Sequence, residues 1–249
     1  MTATLYMFDG SNACLTATLA LEASGVPYRV KRLLPVMHAV RVRGAGFGGS
    51  TVPALKLAGR KILGSRNICH ALAEAAPGSG LLPIEPELLA AVLDAEQRGE
   101  RMQNAVRRLI YINAARDSSA VRAMLEGTGY RRLPEPLLGL ATRGVVKAAV
   151  KAHRAKPERV AKDLEIVRTT LAEVDRLVEL GVLGGDRPTV ADCQLAPNIS
   201  ALALVDGNGQ IGIRGRPAWQ VAEQLLPEYP LAASPILPDE WITELKRLS

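Results

Sequence analysis

The stretch DGSNACLTATLAL, Asp9 to Leu21, sets a hydroxyl and a thiol three residues apart. Ser11 and Cys14 stand where a strand-like run, Thr4 to Phe8, gives way to an amphipathic segment. The spacing is that of a redox Cys-x-x-Cys pair with its first thiol replaced by a hydroxyl. Three chemistries stay open at this junction: a catalytic hydroxyl with a thiol beside it, the remnant of a redox site, or a helix cap. A hydroxyl at a helix start donates to an anion while the helix dipole favours the charge. A free thiol has a pKa of about 8.5, and each unit of lowering represents about 1.4 kcal/mol of thiolate stabilisation. Cys14 lies one helical turn on; with no first thiol it forms no internal disulfide, and a small core residue is the competing reading.

A second helix start lies in GSRNI, Gly64 to Ile68. Unpaired amides and the partial positive charge there suit a carboxylate, with Ser65 either gripping it or merely capping the helix. His70 follows Cys69 directly, but adjacent helical residues point to different faces, so the two make no dyad. The three cysteines (Cys14, Cys69, Cys193) are far apart and the three histidines scattered. They form neither a disulfide framework nor a zinc pattern, so no metal is expected.

The elements that must position these groups read as follows. Thr4–Phe8 is predicted as a strand, Asn12–Ser24 as a helix stopped by Gly25, and Tyr28–Leu34 as a second strand. Arg41–Ser50 reads as a Gly/Arg loop. TVPALKLAGRKIL then gives two short strands about a turn at Ala58–Gly59, and the segment from Ser65 gives a helix ending at Pro77-Gly78. The order βαβ then ββα calls for a parallel pair with a right-handed crossover and an antiparallel edge. The Pro-punctuated run Leu81–Glu87 marks a boundary between residues 1–80 and 88–249. Beyond it every pattern is helical: Leu88–Ala115 (with Gly99 as a bend), Ser118–Glu126, Pro136–His153, Pro157–Leu180, Thr189–Val205, Pro217–Leu226 and Glu240–Leu248. In Pro157–Leu180 the apolar stripe runs Val160, Leu164, Val167, Leu171, Val174, Val178.

Of the 249 residues 22% are charged, and the formal net charge is +6. Residues 1–80 hold nine Lys/Arg against three acids, so all the excess lies there and favours anions. The basic residues Lys147, Lys151 and Arg154, and Arg107 with Arg108, line helix faces, but aromatics make only 4% of the chain. Single-strand nucleic acid grooves need stacking rings, so no nucleic acid partner is expected. No run reaches the ~18 apolar residues of a membrane span, and the N-terminus lacks a secretory pattern. A cytoplasmic, reducing setting and no membrane partner are the expectation.

An α/β unit of this order followed by an all-helical one resembles the glutathione S-transferase family. SNACLTATLAL stands where serine-type and cysteine-type members keep their catalytic residue. TVPAL is similar to the family's Val-Pro with a cis proline, and RPTVADCQLAP to its Ser/Thr-x-x-Asp capping box. The resemblance implies a thioredoxin-like N-terminal domain, an all-α C-terminal domain and a homodimer. It makes glutathione, or a related low-molecular-weight thiol, a co-substrate rather than a tightly bound cofactor, with an electrophilic small molecule as the second substrate. By the same resemblance Ser11 activates the thiol, and Val52, ahead of Pro53, offers its main-chain N–H and C=O to the peptide-like ligand. Ser65 grips the γ-glutamyl carboxylate. Members usually carry Glu or Gln where Gly64 stands, and Arg66 is the expected substitute. Arg108 and Tyr111, on the long first helix of the second domain, face the electrophile. Two other readings remain: a family-fold binding protein without efficient chemistry, and a thiol-disulfide or deglutathionylating enzyme working through Cys14.

Overall fold

The computed structural model describes residues 2–34, 37–126, 134–206, 209–230 and 237–247. Strand β1 (Ala3–Met7) is buried at all five positions, as a central strand must be. It pairs in parallel with β2 (Tyr28–Arg32) and antiparallel with β3 (Ala54–Leu57), which pairs with β4 (Arg60–Leu63). The sheet order is β2-β1-β3-β4, a mixed sheet. At the β3–β4 turn Ala58 and Gly59 both have positive φ (51° and 80°), the backbone of a two-residue hairpin whose twist matches its strands. Helices α1 (Asn12–Ser24) and α3 (Ser65–Ala75) cover one sheet face, where Leu5, Leu55, Leu21, Ile68 and Leu72 are excluded from water. Gly25, with φ 66°, ends α1 as expected.

The Gly/Arg segment differs from expectation. Residues 41–50 are not wholly a loop: His38–Gly44 forms α2. Neither its composition nor a side-chain cap favours a helix. It is held by tertiary packing, with Val42 buried among Tyr6, Phe47 and Ala54 on the sheet's other face.

The helical part comprises α4 (Pro86–Arg116), α5 (Ser119–Glu126), α6 (Glu135–His153), α7 (Val160–Glu179), α8 (Val190–Val205), α9 (Trp219–Leu225) and α10 (Asp239–Lys246). Pro157 opens a 3-10 turn, Pro157–Arg159, rather than α7 itself. Along α7, Leu164, Val167, Leu171 and Val174 face the core. Helix α8 is buried from Val190 to Ala203 and packs against α1, α4 and α9, so it is the hub of the molecule. Its start is the capping box: Thr189 Oγ1 accepts from Asp192 N at 3.3 Å, and Asp192 Oδ2 accepts from Thr189 N at 2.8 Å. Gly99 does not bend α4, which runs unbroken through it. A Cβ there would meet Gln194 and Leu195 side chains at 3.0 and 3.2 Å, so glycine lets α4 and α8 approach closely.

Links between the sheet part and the helices include a backbone bond and a buried carboxylate. Val190 N donates to Leu81 O at 2.9 Å. The fully buried Glu96 accepts from Arg66 Nε at 3.0 Å and bonds His70 Nε2 at 2.9 Å, tying α3 to α4. Among the described residues no helix is long and apolar enough to cross a membrane.

Candidate functional site

The C-terminal end of β1, the start of α1, the Val52–Pro53 bond and the start of α3 lie at one end of the sheet. Ser11 is the N-cap of α1: its extended backbone (φ −94°, ψ 115°) lets its side-chain oxygen accept from Cys14 N at 3.4 Å. The hydroxyl proton can turn toward the Cys14 thiol or toward a ligand. Next to it, Asn12 Nδ2 donates to Asn198 Oδ1 at 2.6 Å, and Asn198 Nδ2 donates to Gln194 O at 3.0 Å. The Tyr229 hydroxyl sits between Asn12 Oδ1 and Gly10 O. The start of α1 is thus clamped to the hub helix and to a tyrosine more than two hundred residues away, and Ser11 is positioned by that clamp.

The Val52–Pro53 bond is cis. Among the described residues the main-chain N–H and C=O of Val52 have no hydrogen-bond partner, so both are open to a ligand. Pro53 O accepts from Gly64 N at 3.0 Å, which fixes the start of α3 against this strand end. Gly64 has φ 86°, a conformation that strains any other residue. Ser65 is nearly buried, yet among the described residues its hydroxyl has no partner. A free hydroxyl beside the first amides of α3 can hold a carboxylate.

From above, α4 brings Arg107. Its only bond partner among the described residues is neutral, Asn104 Oδ1 at 3.2 Å, and no carboxylate lies within ion-pair distance. Burial lowers its pKa from the usual guanidinium value, offset by the fields of Tyr111 and Cys14. Arginine stays charged regardless. Tyr111 stacks on His153, ring centroids 5.3 Å apart and planes 8° from parallel. Burial and then the charges of Arg107 and Arg108 push His153 down to about 4, so its ring is neutral. Burial raises the Tyr111 phenol, opposed by Arg107.

Three expected site residues point elsewhere. Cys14 is fully buried, and burial pushes its thiol up to about 11, against a lowering by Ser11. A thiol so placed is a core residue, not a nucleophile. Arg66, the expected substitute for the side chain missing at Gly64, is paired with Glu96, and its Nη1 stands 3.8 Å from Glu100. Arg108 makes a bidentate pair with the fully buried Asp163 of α7, Nε–Oδ2 2.8 Å and Nη2–Oδ1 2.6 Å. Sequence reasoning missed Asn12, Arg107, Asn198 and Tyr229 as partners of the site, since only the fold brings them together. Helix rotation of about 100° per residue separates Arg107 from Arg108, and nothing in the sequence says which faces α1.

Cys69 and Cys193 are as buried as Cys14, and burial raises both thiols. Titration with an aromatic disulfide is therefore expected to find no fast-reacting thiol in the native protein and all three after denaturation. One rapidly modified native thiol, lost in Cys14→Ser, would restore the redox reading.

Residues 5–80 match the family described as glutathione S-transferase, N-terminal domain. No curated protein matches the chain. Among solved structures, the chain resembles a beta-etherase from Sphingobium sp. strain SYK-6 at 18% identity and TM-score 0.61, covering 100% of both chains. It is similar to a glutathione S-transferase-I bound with lactoylglutathione at 18% identity and TM-score 0.58, over 99% of each chain. A glutathione S-transferase from Methylobacterium radiotolerans in complex with glutathione sulfonate gives 18% and 0.56, over 96% of each. Residues 5–80 thus carry a glutathione S-transferase N-terminal domain, and the chain along its length has the fold of the glutathione S-transferase structures.

Proposed function

We propose that this protein activates the thiol of glutathione, or of a related low-molecular-weight thiol, for attack on an electrophilic small molecule. Residues 1–80 form the thiol-binding domain, 81–87 the linker and 88–249 the helical domain that covers the electrophile; the working unit is a cytoplasmic homodimer. The observation that carries the reading is the set of unpaired groups at one end of the sheet. The Val52 main chain and the Ser65 hydroxyl await a peptide-like ligand with a carboxylate, and Ser11 has a proton to donate.

The roles follow from that set. Val52 adds the ligand as one more strand. Ser65 and the α3 amides hold the γ-glutamyl carboxylate. Ser11 donates to the sulfur, the first amides of α1 add their dipole, and Arg107 supplies an uncompensated charge near the same helix start. The thiolate attacks the electrophilic carbon, the C–S bond forming as a leaving group departs with its bonding electron pair, and the proton lost on ionisation of the thiol leaves to solvent. Tyr111 and the neutral His153 offer the apolar wall beside it.

Calorimetry with reduced glutathione tests this. The parent is expected to bind, with affinity falling modestly as salt rises, because exposed charges are screened beyond ~8 Å at physiological ionic strength. Ser65→Ala removes one charge-assisted hydrogen bond, about 1.5–3 kcal/mol, so binding should weaken about 10- to 100-fold. If the parent binds neither glutathione nor a related thiol at millimolar ligand, the transferase reading fails. A binding protein of this fold, favoured by the missing side chain at Gly64, then takes its place.

A further inference from the structure

The sheet has a second face, away from α1 and α3, and its strand register fixes what stands there. Partners directly opposite in neighbouring strands share a face. Thr4 lies opposite Arg29 and Lys56, Tyr6 opposite Lys31, and Lys56 opposite Lys61. Arg29, Lys31, Lys56 and Lys61 therefore project from the same side, one or two from each of β2, β3 and β4. With strands about 4.8 Å apart, the row spans about 14 Å.

Two of the cations share one ring. Lys31 Nζ lies 5.2 Å and Lys56 Nζ 5.8 Å from the centroid of one ring, Tyr6, and Lys56 is also 5.9 Å from Phe47. Arg29 Nε is steadied by Thr4 Oγ1 at 2.9 Å, and Lys61 Nζ by Gly46 O at 2.9 Å. Among the described residues none of the four has a carboxylate partner, and the residues outside that set include no Asp or Glu. The aromatic face attracts each ammonium but neutralises neither charge.

We propose that this face binds an oligophosphate, a chain of two or more linked phosphate groups. A linear polyanion matches a row of cations in a way a single carboxylate does not. A lipid surface fits poorly, since the rings between the cations are buried and none of the exposed large apolar side chains lies on these strands. The site is separate from the thiol-binding end: its charges lie on the strands, and none belongs to the groups assigned to glutathione.

Titration calorimetry of the full chain with orthophosphate, pyrophosphate and tripolyphosphate tests the proposal. Affinity should rise with the number of linked phosphates and fall with salt. The triple variant Lys31→Gln/Lys56→Gln/Lys61→Gln should bind tripolyphosphate at least about tenfold more weakly. It should keep its melting temperature and its glutathione affinity, so that failure here is distinguishable from failure of the transferase reading. The exposed single variant Lys31→Gln, with a smaller loss, covers the case in which the triple does not fold. A nucleoside triphosphate arm shows whether a free or a nucleotide-borne phosphate chain is preferred; either supports the site. Tripolyphosphate no tighter than orthophosphate, a triple variant that binds like the parent, or binding confined to anionic vesicles or oligonucleotides overturns it.

Discussion

Ser11→Ala is expected to slow conjugation of glutathione about 10- to 100-fold at neutral pH. The figure comes from one charge-assisted hydrogen bond, about 1.5–3 kcal/mol, which is one to two pKa units of the bound thiol. The loss is not total, because the α1 amides and Arg107 remain to favour the thiolate. Two effects must be separated, since Ser11 is also the N-cap of α1 and its removal costs about 1 kcal/mol of stability. The pH dependence of the rate separates them. A missing donor shifts the thiolate titration upward and the rate recovers at alkaline pH, whereas a loosened helix lowers the rate at every pH. Thiolate absorbance of the bound ligand reads the same shift directly. Ser11→Thr keeps both hydroxyl and cap and should retain most of the activity. An unshifted profile in Ser11→Ala would remove Ser11 from the chemistry and leave it as a cap.

Much of this fold was legible in the sequence because its determinants are local. The Gly25 stop of α1, the Thr189–Asp192 box and the Ala58–Gly59 turn each specify their own backbone within four residues. The stripe of α7 likewise carries its period openly. Helix α2 was not legible, since Val42 becomes a helical core residue only once Tyr6, Phe47 and Ala54 are in place to receive it. The same division runs through the site. Ser11 and Ser65 sit at helix starts that the chain announces, but the groups around them come from far away. Asn198 and Tyr229 reach the start of α1 across 186 and 217 residues. Arg66 looked free because its partner, Glu96, lies thirty residues on and is buried. Charge read along a sequence says where cations are plentiful; only the fold says which of them are already spoken for.

Arg108 is the clearest such case, and it carries the largest expected effect on stability. Its guanidinium meets Asp163 through two bonds, with the carboxylate wholly excluded from water. Among the described residues Asp163 has no other partner. Arg108→Ala therefore leaves a buried carboxylate uncompensated, which costs about 3–5 kcal/mol. For a chain of this size that is a fall in Tm of roughly 6–20 °C. The exposed pair Arg98–Asp94, 2.7 Å apart with both side chains at least 40% accessible, is the control: Arg98→Ala should cost under about 1 kcal/mol. Replacing both partners, Arg108→Met with Asp163→Leu, removes the buried charge along with its mate and should recover most of the loss. That recovery is what distinguishes an internal pair from a ligand contact. Were Arg108 a substrate residue, Arg108→Ala would raise the KM for the electrophile and leave the Tm where it was, and the double variant would rescue nothing. A Tm within about two degrees of the parent would overturn the structural assignment and return Arg108 to the cleft.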